Sequence, residues 1–242
     1  YYSGTFTRTM PGSAMSHFYG HINDGIFQTQ AEINAHPTQV GAKPGDRRFR
    51  DINGDGKVDA NDRTNIGDPW PDFDYGFAAD ASWKGFDINM SFYGTSGKQL
   101  YDSQGVYLET MQGEWNNKTT VLNRWKGPGT SNTLPRAVRG DTNQNNRSQS
   151  DYVLDADFLR MQNFQIGYTL PQSVIKRVGA RNARIYFNGQ NLFTITKYPN
   201  YNADTLGGVG FNDDSMSPLG FGVDTGSTPI PSVYSFGVNL TF

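Results

Sequence analysis

Val-Tyr-Ser-Phe-Gly-Val-Asn-Leu-Thr-Phe, residues 233–242, alternates large apolar side chains with small or polar ones. In an extended strand the two sets point to opposite faces. The large apolar set is Tyr234, Phe236, Val238, Leu240 and Phe242. About ten residues with one apolar and one polar face are enough to cross a bilayer as one strand of a β-barrel. The last strand of a soluble β-sandwich has the same alternation, so this segment alone leaves both interpretations open.

The same alternation occurs four more times along the chain. A two-residue Lys-Gly turn separates the first two repeats, which is typical of a β-hairpin. The predicted strands are residues 72–83, 86–95, 158–170, 184–195 and 233–242. The sequence therefore predicts an all-β fold.

The connections between these strands are short at one end and long at the other. Residues 84–85 and 171–182 are short connections, whereas 96–156 and 196–232 are long loops. Structureless loops longer than about 15 residues are uncommon in compact soluble domains. Short turns at one rim and long extracellular loops at the other are typical of outer-membrane barrels. We therefore expect these to be strands of a large antiparallel transmembrane barrel. Five strands cannot close it, so the others are expected from sequence outside this chain or from residues 1–30.

Composition excludes several other classes of protein. The chain has 242 residues, 28 of them Gly, with 14% aromatic residues and a mean hydropathy of −0.63. This does not fit an α/β enzyme, whose buried strands are rich in Val, Ile and Leu, and no apolar run is long enough for a transmembrane helix. A net charge of −2 without a basic cluster gives no support for a nucleic-acid partner. Without an initiator Met, the chain is expected to be a piece of a longer protein.

Residues 51–62 match the spacing of the twelve-residue calcium loop, with Gly56 at the sharp turn. The predicted calcium ligands are Asp51, Asn53, Asp55, Lys57 (through its carbonyl), Asp59 and Asp62. The last position is Asp rather than Glu and the flanking segments have no helical pattern, so a true EF-hand is not predicted. The alternative is an Asx-rich turn held by its own backbone hydrogen bonds. We predict a structural calcium ion that rigidifies a surface loop.

No catalytic constellation is present, and the chain is predicted not to be an enzyme. His17 and His21 are four residues apart, but turn-forming residues follow them, so both are interpreted as structural or exposed. The aromatic residues of the long loop are expected to pack in the loop's own small core, although stacking on sugar rings is an alternative. They are Tyr101, Tyr107, Trp115 and Trp125.

A series of motifs in this chain resembles the C-terminal third of the SusC/RagA-type TonB-dependent transporters. The motifs are Phe18-Tyr19-Gly20, Asp24-Gly25-Ile26-Phe27-Gln28, Gly45-Asp46-Arg47-Arg48-Phe49, residues 51–56, Ile66-Gly67-Asp68-Pro69, residues 71–76, Leu134-Pro135-Arg136, residues 158–163, 167–171 and 189–194, and the terminal Phe242. This resemblance implies a barrel of about 22 strands in the outer membrane of a Bacteroidetes-type Gram-negative bacterium. It also implies import of oligosaccharides or peptides under a SusD-like lipoprotein lid, driven by the TonB complex through an N-terminal region outside this chain.

The resemblance assigns provisional roles along the chain. Residues 1–71 are expected to form an extracellular loop region, and 72–242 the barrel strands with their long loops. The lumen-facing candidates are Asp87, Asn89, Arg184, Asn188 and Gln190. The apolar residues of 233–242, ending in Phe242, are expected to be the signal for the barrel-assembly machinery. The alternative function is that of a secreted, calcium-stabilised carbohydrate-binding β-domain.

Overall fold

Strands account for most of the regular structure in the computed structural model, which describes residues 2–113, 116–176, 179–206 and 220–242. The strands are β1 (Tyr2–Ser3), β2 (Thr7–Thr9), β3 (His17–Gly20), β4 (Asn23–Ile26), β5 (Arg47–Phe49), β6 (Thr64–Gly67), β7 (Phe73–Trp83), β8 (Phe86–Ser96), β9 (Gln99–Asp102), β10 (Val153–Asp155), β11 (Phe158–Thr169), β12 (Asn182–Gln190), β13 (Thr194–Thr196), β14 (Val223–Asp224) and β15 (Val233–Thr241). The helices are α1 (Gln30–Ala35), α2 (Ser103–Leu108) and α3 (Gln172–Ile175), with 3₁₀ turns at Ala60–Asp62, Thr119–Asn123 and Ser150–Tyr152. The all-β prediction is confirmed. None of the helices in these ranges is long and apolar enough to cross a membrane.

The chain divides into two compact units, each assembled from separate stretches of sequence. The sheet unit consists of Pro71–Lys98, Asp155–Asp204 and Thr228–Phe242. The loop unit consists of Tyr1–Trp70, Gln99–Leu154 and Thr205–Ser227.

One antiparallel sheet in the order β15-β12-β11-β8-β7 forms the sheet unit, and β13 also pairs with β11. Each of the five strands predicted from the alternation overlaps one strand of this sheet. Lys84 and Gly85 join β7 to β8, with φ angles of 47° and 86°. Positive φ at both residues gives a two-residue turn the twist that matches its flanking strands.

The predicted strand 184–195 is interrupted in the structure. β12 ends at Gln190, and Asn191 has a φ of 50°. The Asn191 backbone N–H donates to the Gln162 carbonyl at 3.1 Å, and the register between β11 and β8 shifts between Met161 and Asn163. Gln162 is therefore the extra residue of a β-bulge in β11. The chain that follows β12 turns at Asn191 before β13 begins. Alternation alone did not reveal the break, because apolar residues continue on both sides of it.

The loop unit contains several short strands, although the sequence predicted only loops for residues 1–71, 96–156 and 196–232. The sheets have the orders β1-β2-β3-β6, β4-β5 and β10-β9-β14, with β9 and β14 parallel. Their core gathers residues that are far apart in sequence, namely Phe18, Tyr101, Val106, Tyr152 and Val223. Strands of two to four residues are too short to display a period of two, so the sequence pattern missed them. Residues 207–219 of the predicted loop 196–232 lie outside the described residues.

A buried polar cluster ties β5 to the stretch before β10. The fully buried Asp46 accepts two hydrogen bonds from the Arg136 guanidinium, at 2.8 and 3.3 Å. Arg47, 2% exposed, forms an ion pair with Asp151. Asn145 accepts from the Arg47 backbone N–H at 2.7 Å and donates to Asp46 at 3.1 Å. Because each charged partner is hydrogen-bonded, the cluster can be buried without an isolated charge.

Candidate functional site

One face of the sheet unit is an exposed apolar surface, and we call it the apolar face. Its most exposed members in β7, β8 and β15 are Phe73, Phe77, Trp83, Phe86, Tyr234, Phe236, Val238 and Leu240. Phe236 is 83% exposed, yet its ring lies 5.1 Å from that of Phe187 on the neighbouring strand. The residues predicted as an assembly signal occupy alternate positions of 234–242 and lie on this face, and they include the exposed Phe242. Contiguous apolar surface on this scale indicates contact with a hydrophobic partner or a membrane.

The five predicted lumen-facing residues lie together on the opposite face, which we call the polar face. The register aligns Asn89, Gln165 and Asn188 in one row across β8, β11 and β12. Arg184 and Asp87 form an ion pair, with Arg184 Nε donating to Asp87 Oδ1 at 3.0 Å. Gln190 lies opposite Asn163 on the same face.

Arg184 spans a whole strand to reach Asp87. The strand between them is β11, where Gly167 pairs with Asp87 on one side and Tyr186 on the other. A Cβ atom on Gly167 would collide with the Arg184 guanidinium. Glycine at this position therefore leaves room for the side chain to lie flat across the sheet.

A second polar link crosses β7, β8 and β11. Asn163 Nδ2 donates to Asn89 Oδ1 at 3.0 Å, and Asn89 Nδ2 donates in turn to Asp80. Asp80 and Asn163 were not among the predicted lumen-facing residues. They have the same parity along their strands as the predicted ones, so extending the alternation to every strand would have found them.

The loop 51–62 is closed by its own hydrogen bonds. Asp51 accepts from the backbone N–H groups of Gly54 at 2.7 Å and Gly56 at 2.9 Å. Asn53 accepts from the Asp55 N–H, and Asp55 from the Lys57 N–H, both at 2.9 Å. The oxygens of Asp51, Asn53 and Asp55 therefore accept from backbone donors of one turn, as in the Asx-rich alternative.

Asp62, at the twelfth position, holds the ends of this loop together. It is fully buried and accepts from the N–H groups of Asp59 at 2.7 Å and Ile52 at 2.8 Å. Burial alone would raise the pKa of Asp62, but these backbone donors keep the pKa below its usual value. Asp59 caps the following 3₁₀ turn by accepting from the Asn61 N–H at 2.7 Å. In the part of the chain that the structure describes, no three His, Cys, Asp or Glu residues are grouped so that they could hold a metal ion, and calcium remains a prediction.

A cavity of about 500 Å³ opens in the loop unit beside this loop. Its lining includes His21, Asp59, Arg63 and Arg147. His21 is 6% exposed, and its Nε2 lies 2.9 Å from the Asp59 carbonyl oxygen. Burial lowers the pKa of His21, and the positive charges of Arg147 and Arg63 lower it further. Both effects favour the neutral form of His21. No local sequence pattern indicated that residues so far apart would share a cavity.

The structure agrees in part with the prediction that the aromatic residues of the long loop pack in the loop's own core. Tyr101 is fully buried in the core of the loop unit, and Trp125 donates through Nε1 to Gln28 at 3.1 Å. Tyr107 is 43% exposed. Trp115 lies outside the described residues.

Comparison with known proteins identifies relatives over nearly the whole chain, although no family model matches it. TonB-dependent receptor P3 of Formosa agariphila is 34% identical over 233 residues, which is 96% of this chain and 22% of the receptor. TonB-dependent receptor P26 of the same organism is 28% identical over 98% of this chain and 23% of that receptor. TonB-dependent receptor SusC of Bacteroides thetaiotaomicron is 28% identical over 70% of this chain and 16% of SusC. These relatives are receptors rather than enzymes, which confirms the prediction of a non-enzymatic chain.

Solved structures with the same fold come from a transport complex. The RagAB peptide importer in its open-open state aligns with a TM-score of 0.68 at 23% identity, covering 99% of this chain and 24% of the solved one. Another structure of the RagAB peptide transporter gives a TM-score of 0.71 at 21% identity. This chain thus spans about a quarter or less of the proteins that it resembles.

Proposed function

Because this chain belongs to the SusC-type family of TonB-dependent receptors, we propose that it is part of an outer-membrane barrel that imports oligosaccharides or peptides. The observation that carries this proposal is the two-faced sheet, in which most aromatic and aliphatic side chains of the five strands face one side and most polar side chains the other. The apolar face would contact lipid, and the polar face would line the lumen. A soluble carbohydrate-binding domain offers no reason for this exposed apolar face.

The remaining strands of the barrel are proposed to come from the rest of the receptor. β7 and β15 are the outer strands of the sheet, and in lipid their unpaired backbone groups would each cost several kcal/mol. Strands added on both sides would satisfy these groups and close a barrel of about 22 strands, as in large outer-membrane transporters. The exposed residues of β15 are also the proposed contact for the barrel-assembly machinery.

The loop unit is proposed to be extracellular and to contact a SusD-like lipoprotein lid. The long connections between the strands of the sheet support this, because the stretches 99–154 and 205–227 belong to the loop unit. Long loops of outer-membrane barrels are extracellular. Coupling to the TonB complex is proposed for the whole receptor.

The test uses the full-length receptor in its native host. We expect it in the outer-membrane fraction, with gel mobility that shifts on boiling, and we expect uptake of labelled oligosaccharides or peptides to stop when TonB is deleted. A soluble native protein of 26.9 kDa without a mobility shift would contradict the proposal and favour the secreted binding domain. Uptake that survives TonB deletion would contradict the active-transport part alone.

A structural calcium ion in the loop 51–62 is a separate proposal. It is supported by the spacing of Asp51, Asn53 and Asp55, whose oxygens already point into one turn. Each of these oxygens has a second lone pair for a hard cation, which prefers six to eight oxygen ligands. The ion would hold the loop rigid without taking part in transport chemistry.

A further inference from the structure

Within the described ranges of the chain, the two guanidinium groups in the cavity of the loop unit form no ion pair with a carboxylate. Arg63 and Arg147 line this cavity of about 500 Å³ together with the hydroxyl groups of Thr5, Thr142 and Ser148. Neither arginine takes part in any ion pair found among the described residues. A cavity of this volume has the size of a small-ligand site.

Neutral groups hold both arginines in place. Arg63 Nη2 donates to the Tyr19 carbonyl at 3.0 Å, and its guanidinium carbon lies 4.8 Å from the centre of the Tyr19 ring. Arg147 Nε donates to the Gln144 carbonyl at 3.2 Å, and its guanidinium lies 4.4 Å from the centre of the Phe49 ring. Carbonyls and rings orient a guanidinium but do not cancel its charge. Each group has five N–H donors, so most of them remain available to a ligand.

The nearest acidic side chains are engaged elsewhere. The Asp59 carboxylate accepts from the Asn61 backbone N–H at 2.7 Å as the cap of the 3₁₀ turn. Asp141 stabilises the Arg147 charge at a distance, but its carboxylate accepts hydrogen bonds from both the backbone and the side-chain amide of Asn145. Two arginines and one aspartate line the cavity, so its lining carries a net positive charge.

We infer that this cavity binds a carboxylate group of the imported substrate, held between Arg63 and Arg147. This inference rests on the proposed import function and narrows the substrate to an acidic oligosaccharide or an acidic peptide. A guanidinium pairs with a carboxylate through two parallel hydrogen bonds, and such charge-assisted bonds are stronger than neutral ones. The hydroxyl groups of Thr142 and Ser148 already donate to the Gly41 and Tyr19 carbonyls at 3.1 and 2.9 Å, so they would accept hydrogen bonds from hydroxyl or amide groups of the substrate.

The experiment measures ligand binding to the purified full-length receptor by calorimetry. The probes are trigalacturonate and its methyl ester, and a Glu-rich tripeptide and its Gln counterpart. We expect one acidic probe to bind at least about tenfold more tightly than its neutral counterpart. The identity of that probe distinguishes a uronic-acid substrate from an acidic peptide. We expect Arg147→Gln and Arg63→Gln each to weaken binding by about tenfold, and the exposed Arg139→Gln to leave it unchanged.

The inference would be overturned by equal affinity for acidic and neutral probes or by no binding of either acidic probe. Unchanged affinity in a variant that combines Arg63→Gln with Arg147→Gln would also overturn it. Heat-dependent gel mobility checks that each variant is folded. If a variant does not fold, salt titration of the wild-type receptor still decides, since binding to the arginines must weaken as ionic strength rises. TonB-dependent uptake is measured separately, so a receptor that imports only neutral substrates would refute this inference and leave the import function standing.

Discussion

Replacing Phe187 by Lys and, separately, its neighbour Asn188 by Lys tests the assignment of the two faces of the sheet. The two residues are adjacent in β12, but their side chains point to opposite faces. Phe187 pairs with Ile166 and Phe236 on the apolar face, and Asn188 pairs with Gln165 and Ser235 on the polar face. The pair Phe187–Phe236 is adjacent to the middle pair of the ladder between β12 and β15. Both changes add the same charge at nearly the same depth, so each variant is the control for the other.

The magnitude follows from the surroundings of Phe187. A Lys facing lipid near the bilayer midplane costs about 2–4 kcal/mol. The substitution also removes ring contacts with Phe236 at 5.1 Å, Tyr234 at 6.3 Å and Phe164 at 6.4 Å, which together contribute about 1–2 kcal/mol. We expect Phe187→Lys to destabilise the folded receptor by about 3–6 kcal/mol. Asn188→Lys, on a hydrated polar face, should change stability by no more than about 0.5 kcal/mol.

The assay is urea unfolding of the full-length receptor in phospholipid vesicles, followed by the loss of heat-modifiable gel mobility. The amount of folded receptor in the outer membrane gives a second measurement in cells. Phe187→Lys should lower both strongly, and Asn188→Lys should lower neither. Equal damage by the two substitutions, or greater damage at Asn188, would refute the assignment of the faces.

Three further perturbations test other parts of the structure. Gly167→Val should displace Arg184 and destabilise the receptor by about 1–3 kcal/mol; the loss should not add fully to that of Arg184→Gln, and full additivity in urea unfolding would argue against the contact. Asp62→Asn should make the loop 51–62 cleavable by protease at lower temperature, a loss of about 1–3 kcal/mol. Because the pKa of Asp62 is lowered on folding, its stabilising effect is present above pH 3.8 and lost as the pH falls through the folded-state value, so wild type and variant should converge in acid. Calcium at 100 times its dissociation constant should protect the wild-type loop by about 2.7 kcal/mol, and protection that is equal in the variant would count against the proposed site. Tyr152→Phe should remove an alkaline loss of stability, because burial raises the pKa of Tyr152 to about 12 and its contribution falls as the pH rises from 10 to about 12; identical alkaline unfolding curves would contradict this.

The long strands of the sheet were predictable because apolar and polar residues alternate along them. From Phe73 to Trp83 and from Phe86 to Phe92 every second residue is apolar, and a turn of two residues fixes the hairpin between β7 and β8. A period of two over ten residues is a signal that a single sequence carries by itself. The same signal assigned the polar face, because parity alone groups Asp87 with Asn89 and Arg184 with Asn188.

The loop unit was not predictable by the same reasoning. Its core joins Phe18, Tyr101 and Val223, and its buried polar cluster joins Asp46 to Arg136. Contacts of this kind join segments that are far apart in sequence, and no local sequence pattern predicts which segments meet. The cavity lined by Arg63 and Arg147 was unpredictable for the same reason, whereas the turn in the loop 51–62 was visible because the hydrogen bonds that close it are local.

The crossing of Arg184 over Gly167 has a consequence for how neighbouring strands find their alignment. A slip of β12 by one residue against β11 would turn its apolar residues to the polar side, and the hydrophobic pattern rejects it. A slip by two residues keeps the apolar residues on the apolar face and the polar residues on the polar face, so the hydrophobic pattern does not disfavour it. Such a slip would set the Arg184 guanidinium above Gln165 or Thr169 instead of Gly167, and either side chain would block the path to Asp87. The contact between Arg184 and Gly167 therefore disfavours a two-residue slip of β12 against β11, which the alternation of apolar and polar residues does not.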